Sequence, residues 1–229
     1  MFRKTLARPD WRAPGRAAAR KPGSARALQA LLLFASLCMA GPALADTRRC
    51  TVERLEGETL HRLTPIGWER LEDGALPAGA GRLATGPRTR SRVRCDDGTV
   101  VVLAPGTDLD LSDLGGNPAG PVGAVLELLE GLVGLIVPAH AEKNGLEVRT
   151  PLAIAAIRST EWLVSHDTAE GTAVFVHAGR VRVRVADREA TLAPGEGIDV
   201  DPADGPGPVV EWGAARIAEA SGALGLDWR

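Results

Sequence analysis

Short bursts of alternating polar and apolar residues, each closed by a turn signal, run through most of the chain. Ser91-Arg92-Val93-Arg94-Cys95 and Thr99-Val100-Val101-Val102-Leu103 flank Asp96-Asp97-Gly98, the pattern of a β-hairpin. After Pro105-Gly106-Thr107, the run Asp108-Leu109-Asp110-Leu111-Ser112 alternates strictly, as a half-buried strand does. Further β-type runs cover Leu146 to Arg149, Ile154 to Ile157, Glu161 to Ser165, Thr172 to His177 and Val181 to Val185. Thr191-Leu192 and Ile198-Asp199-Val200 flank the turn Pro194-Gly195-Glu196-Gly197. Residues 51–72 read as short strands or an irregular lead-in. Many short strands at this spacing predict an all-β domain, a sandwich, roll or short solenoid. A Pro/Gly-rich linker at 201–208 then leads to residues 211–221, which fit a short C-terminal helix.

Residues 122–137 break the alternation. Val125, Leu128, Leu129, Leu132, Leu135 and Ile136 fit a helical period, and Ala124 to Glu130 has helical propensity, which Gly131 and Gly134 weaken. Two strands meeting at Glu130-Gly131 fit equally.

The first 45 residues differ in kind. Eight cations against the single acid Asp10 precede an apolar run from Ala27, which ends at Gly41-Pro42 before the small-x-small pattern Ala43-Leu44-Ala45. That order predicts a signal peptide over 1–45, cleaved after Ala45, and a periplasmic or secreted protein. The run is shorter than the ~20 apolar residues of a spanning helix, so contact with a membrane is expected only through the export signal. Leu37 before Cys38 argues against lipid attachment, and Arg48-Arg49 lies too late for a twin-arginine signal.

Removing that segment changes the charge. Of 27 basic and 29 acidic side chains, 19 and 28 remain, a net charge of −9. An acidic protein of this kind lacks the basic patch that phosphate binding needs, which excludes nucleic acid as the expected partner. Cys38 leaves with the signal, and Cys50 and Cys95 remain as an even pair in an oxidising compartment, so a disulfide between them is expected. Neither cysteine has a second ligand at metal spacing.

At Thr150-Pro151-Leu152-Ala153-Ile154-Ala155-Ala156-Ile157-Arg158-Ser159-Thr160-Glu161-Trp162 the chain resembles the signature of FecR domains: Thr-Pro, an apolar stretch, Arg-Gly-Thr and an acidic-aromatic pair. Asp97-Gly98-Thr99, Ala178-Gly179-Arg180-Val181 and Leu192-Ala193-Pro194-Gly195-Glu196-Gly197 match further pieces in order, and Leu71-Asp73-Gly74 and Thr85-Gly86 fall into the same spacing. The resemblance covers roughly residues 65–200, within a predicted domain of 46–200 followed by a linker and short segment at 201–229. Ser159 stands where the family usually has Gly. The resemblance implies an extracytoplasmic β-rich domain engaged in protein–protein signalling, best known in regulators that relay iron-siderophore uptake from an outer-membrane receptor to a sigma factor. No anti-sigma domain is recognisable here, so the expectation is a stand-alone exported binding or scaffold protein for a protein or cell-envelope partner. Regulatory signalling is the alternative, and an envelope hydrolase a weaker one.

The chemistry agrees with a non-catalytic reading. His61, His140, His166 and His177 are scattered without ligand or nucleophile spacing, and Asp96-Asp97 and Asp108-Asp110 lack the periodic acids of a Ca²⁺ loop. No catalytic residue, metal or cofactor is expected. The one concentrated basic feature is Arg180, Arg182, Arg184 and Arg188. Along a strand the first three project from one face, with Val181, Val183 and Val185 on the other. They are either a ladder for carboxylates or an anionic polymer, or a solvated strand face. Trp68, Trp162, Trp212 and Trp228 read as core anchors.

Overall fold

A computed structural model describes residues 50–76, 81–114, 124–157 and 160–228. The proposed signal peptide with Cys38, and Arg158-Ser159 of the signature, lie outside the described residues. All described residues fall in one unit, Leu44–Arg229.

In chain order the strands are β1 (Cys50–Glu56), β2 (Leu60–Thr64), β3 (Gly67–Arg70), β4 (Gly74–Leu76), β5 (Arg82–Thr85), β6 (Arg90–Cys95), β7 (Val100–Leu103) and β8 (Asp108–Asp113). They continue with β9 (Ala124–Val137), β10 (Leu146–Arg149), β11 (Ile154–Ile157), β12 (Thr160–Asp167), β13 (Gly171–Ala178), β14 (Val181–Val185), β15 (Arg188–Leu192) and β16 (Glu196–Asp201). Among the described residues a short 3₁₀ helix (Ala139–Asn144) follows β9, and an α-helix, α1 (Ala214–Leu224), follows the last strands. The strands form two sheets. Sheet I runs β4-β1-β6-β7-β9-β12-β13-β16, and sheet II runs β3-β2-β5-β8-β9-β10-β11-β14-β15. Every pairing is antiparallel except β9 with β10.

The 14-residue β9 belongs to both sheets. Its first half pairs with β8 and β10, its second with β7 and β12, and the change comes at Gly131, where φ is +95°. A Cβ there would lie 2.6 Å from the Cα of Thr107, so the bend needs both the left-handed backbone and the missing side chain. Over Ala124–Val137, the described part of 122–137, the helical alternative is therefore wrong, and the two expected strands are one continuous strand. The reason lies in its second half, which is apolar on both faces. Val133, Leu135 and Val137 point into the space between the sheets, while Leu132 and Ile136 lie under α1. A strand covered on both sides loses its alternation and imitates a helical stripe.

Two cores result. Between the sheets, Val52, Leu60, Leu83, Val93, Leu109, Leu126, Leu135, Val148, Trp162, Val174, Val181 and Val183 are buried together. On the outer face of sheet I, Val100, Val102, Leu163 and Phe175 pack against Trp212, Leu224 and Trp228. The C-terminal segment is held there. Gly205–Pro206 and Val210–Glu211 pair with β16, and Gly225, at φ +68°, closes α1. The Arg90 guanidinium donates to the carbonyls of Gly222 and Ala223 at the end of that helix. Cys50 and Cys95 stand directly opposite each other on β1 and β6 and are bonded, with S–S 2.02 Å.

Candidate binding face

Strand alternation turns one set of sheet II side chains away from the core. Across β9, β10, β11, β14 and β15 one row reads Glu127, Arg149, Ile154, Arg184, Glu189. The neighbouring row reads Val125, Glu147, Ala156, Arg182, Thr191. Arg182 and Arg184 are exposed, while Val181 and Val183 behind them are buried. The small or aliphatic Ala156 and Ile154 lie directly opposite the two arginines on β11, so the guanidinium groups rise beside a low strip of the sheet. Arg182 has a weak tie, its Nε 3.4 Å from Glu189, with 66% of its side chain exposed.

The expected three-rung ladder is shorter in the structure. Arg180 is exposed but precedes β14, in the turn after Gly179, so two arginines share the strand face and the third stands at its end. Arg188 pairs with Val185 and by alternation belongs to the opposite side of sheet II. The sheet's middle strands carry the opposite sign, with Asp108 opposite Glu130 and Asp110 opposite Glu127. Arg82 neutralises Asp108 through Nε and a terminal nitrogen, and this hydrogen bonding raises the pKa of Arg82.

The residues that carry the FecR resemblance build the fold. Thr150 Oγ1 accepts from the N–H of Leu152 and Ala153 at 3.3 and 3.0 Å and meets Thr172 Oγ1 at 2.9 Å. Thr172 in turn lies 2.9 Å from Nδ1 of His166, which is 4% exposed. This chain ties the β10–β11 turn of sheet II to β12 and β13 of sheet I. Trp162 is fully buried between the sheets, and Glu196 accepts from the N–H of Ala193 at 2.7 Å to close the Pro-Gly-Glu-Gly turn. Trp162, Trp212 and Trp228 are core anchors as expected. Trp68 is not: it is 48% exposed, because it sits on the outer face of the β2–β3 hairpin, over which none of the described residues forms a second layer.

A cleft of about 590 Å³ opens near the β9 bend, lined by Glu130, Ser165, His166, Thr172, Asp199 and Arg216 among others. Several of its charged groups have partners in the fold. Arg216 binds Asp199 and lies 3.6 Å from the centre of the Trp212 ring, and Glu130 accepts from Thr168. Asp167 accepts from the N–H of Glu170 and Ala169, which lowers its pKa. Among the described residues no group of three or more His, Cys, Asp or Glu side chains is placed to hold a metal ion. Nothing in the sequence marks this cleft, since its walls come from strands far apart in the chain.

Known proteins place this architecture. Two crystal structures of a candidate anti-sigma factor from Parabacteroides distasonis, at 2.50 and 1.65 Å resolution, share its fold with a TM-score of 0.52 and 24% identity. The match covers 60% of this chain and 62% of that one, so this chain spans less than two thirds of that protein. No curated protein matches in sequence. Residues 81–182 match the family model described as FecR protein, from β5 into β14 and including the whole bend of β9. Over that span the chain is similar to FecR domains.

Proposed function

We propose that this is an exported, non-catalytic binding module that recognises an acidic protein or envelope component through Arg182 and Arg184 on the outer face of sheet II, with Arg180 at its margin. The observation that carries the reading is the contrast between the two outer faces. The outer face of sheet I is covered by α1 and the flanking Trp212 and Trp228, whereas sheet II leaves two arginines exposed beside Ala156 and Ile154. If export removes residues 1–45, those arginines stand on a chain of net charge −9, and opposite-sign partners are drawn to them.

The disulfide fits an oxidising compartment, and no helix among the described residues is long and apolar enough to cross a membrane. A second reading, relay of a signal to a regulatory partner, draws on the FecR domain and on the description of the Parabacteroides structures as an anti-sigma factor. In that case the same face would dock a receptor or relay protein. The deciding experiment replaces Arg180, Arg182 and Arg184 with Gln and compares capture of envelope components by folded variant and parent across a salt series. Weakened, salt-sensitive capture supports the reading. Capture equal to the parent's returns the arginines to a solvated strand face.

A further inference from the structure

The far end of sheet II carries an exposed apolar cluster. Ile66 at the tip of the β2–β3 hairpin is 95% exposed, Trp68 48% and Leu63 38%. Leu63 and Trp68 are directly opposite each other, so they share the outer face, and among the described residues β3 pairs with β2 alone. The surrounding charges are already matched: Arg62 holds Glu69, Arg70 lies 3.3 Å from Glu72, and Arg82 holds Asp108 while sitting 5.7 Å from the centre of the Trp68 ring. An apolar cluster ringed by neutralised charge is the composition of a contact surface.

The backbone of β3 says what kind of contact. Leu71 N donates to Leu60 O, which makes that facing pair a hydrogen-bonded one. Antiparallel pairs alternate, so Arg62 with Glu69 and Thr64 with Gly67 are bonded in turn, and Trp68 and Arg70 turn their N–H and C=O groups away from β2. An open edge with two such residues two apart complements itself. A two-fold axis through Glu69 sets Trp68 of one molecule opposite Arg70 of the other, and the reverse, each pair exchanging two backbone hydrogen bonds.

The geometry points to a second copy of this chain as the occupant of this edge, joining two sheets II through β3. The matched pair is chemically apt, since Trp68 and the second copy's Arg70 fall on the same face, where a guanidinium finds the indole ring. The two Trp68 side chains become diagonal neighbours, within aromatic reach. Glu69 opposite Glu69 on the other face is tolerable because Arg62 neutralises each carboxylate. Four residues make a short edge, so the association is weak and depends on concentration. The arginine face lies at the opposite end of sheet II, so this inference does not rest on the proposed function.

Sedimentation velocity of the purified protein over a rising concentration series tests it, with two variants alongside. Arg70→Pro removes an outward N–H that no bond inside the sheet uses, and an edge position accommodates proline. Trp68→Lys keeps the backbone and removes the ring. The expected result is a shift of the parent toward twice the monomer mass, lost in both variants and retained when Arg180, Arg182 and Arg184 are changed to Gln. If Arg70→Pro does not fold by circular dichroism, Trp68→Lys alone decides. A parent that stays monomeric at the highest concentration, or a folded edge variant that still dimerises, overturns the inference.

Discussion

Trp212 lies so close over Gly197 that its Nε1 is 2.1 Å from where a Cβ on that glycine would sit. The second glycine of the Pro-Gly-Glu-Gly turn is thus the floor on which the C-terminal segment rests. Above it the indole stacks on Phe175, centroids 4.9 Å apart, and takes the guanidinium of Arg216 on its ring. Gly197→Ala should therefore act at a distance from its own strand by lifting Trp212 and loosening α1. The expected cost is about 1–3 kcal/mol, the usual range for overpacking a filled site. Urea unfolding followed by tryptophan fluorescence reads it, with a red-shifted native spectrum as the local sign. A variant as stable as the parent would mean that the turn, not the ring above it, sets the need for glycine.

Acid should weaken the fold at two exposed turns. Asp167 accepts from the N–H of Glu170 and Ala169, and Asp201 from the N–H of Asp204 and Ala203, and each carboxylate's pKa is lowered by those bonds. A lowered folded-state pKa means that the contribution is complete above the unfolded carboxylate value of about 3.9 and is lost as pH falls through the folded value. Asn at both positions keeps an accepting oxygen and cannot titrate. Urea midpoints between about pH 5 and 2.5 should fall less steeply for the double Asn variant than for the parent. Parallel curves would show that other carboxylates control the acid limb.

What the sequence made legible follows the covering of the strands. Val181 to Val185 was readable to the residue because one side faces the core and the other faces solvent. The Asp97-Gly98 hairpin was readable from its turn, and the pairing of Cys50 with Cys95 from the count of cysteines left after the expected cleavage. In β9 the pattern misled, since α1 returns from the chain's end to cover a face that local sequence cannot know is covered. The site was legible in its residue types but not in its extent. Arg180 continues the alternation in sequence, yet the Ala178-Gly179 turn leaves it before the first residue of β14. Trp68 failed for the converse reason, an aromatic residue on a strand over which none of the described residues forms a second layer.

The disulfide should hold one side of sheet I in register. Among the described residues β1 has two partners, the three-residue β4 and β6. Cys50 and Cys95, 45 positions apart, join β1 to β6 at its first residue, where fraying would otherwise begin. Replacing both with Ser removes a closure worth about 3–4 kcal/mol in the loop-entropy model, and also sets polar hydroxyls at two buried positions. Replacement with Ala avoids the second effect, so the Ala pair should lose about 3–4 kcal/mol and the Ser pair more. Because both sulfurs are buried, a mild reductant should leave the native protein bonded, and cleavage should follow only when denaturant opens β1. Non-reducing peptide mapping gives the bonded pair, and unfolding curves give the two losses. Free, alkylatable thiols in the native protein, or an Ala pair as stable as the parent, would remove the disulfide from the account of what holds β1 in place.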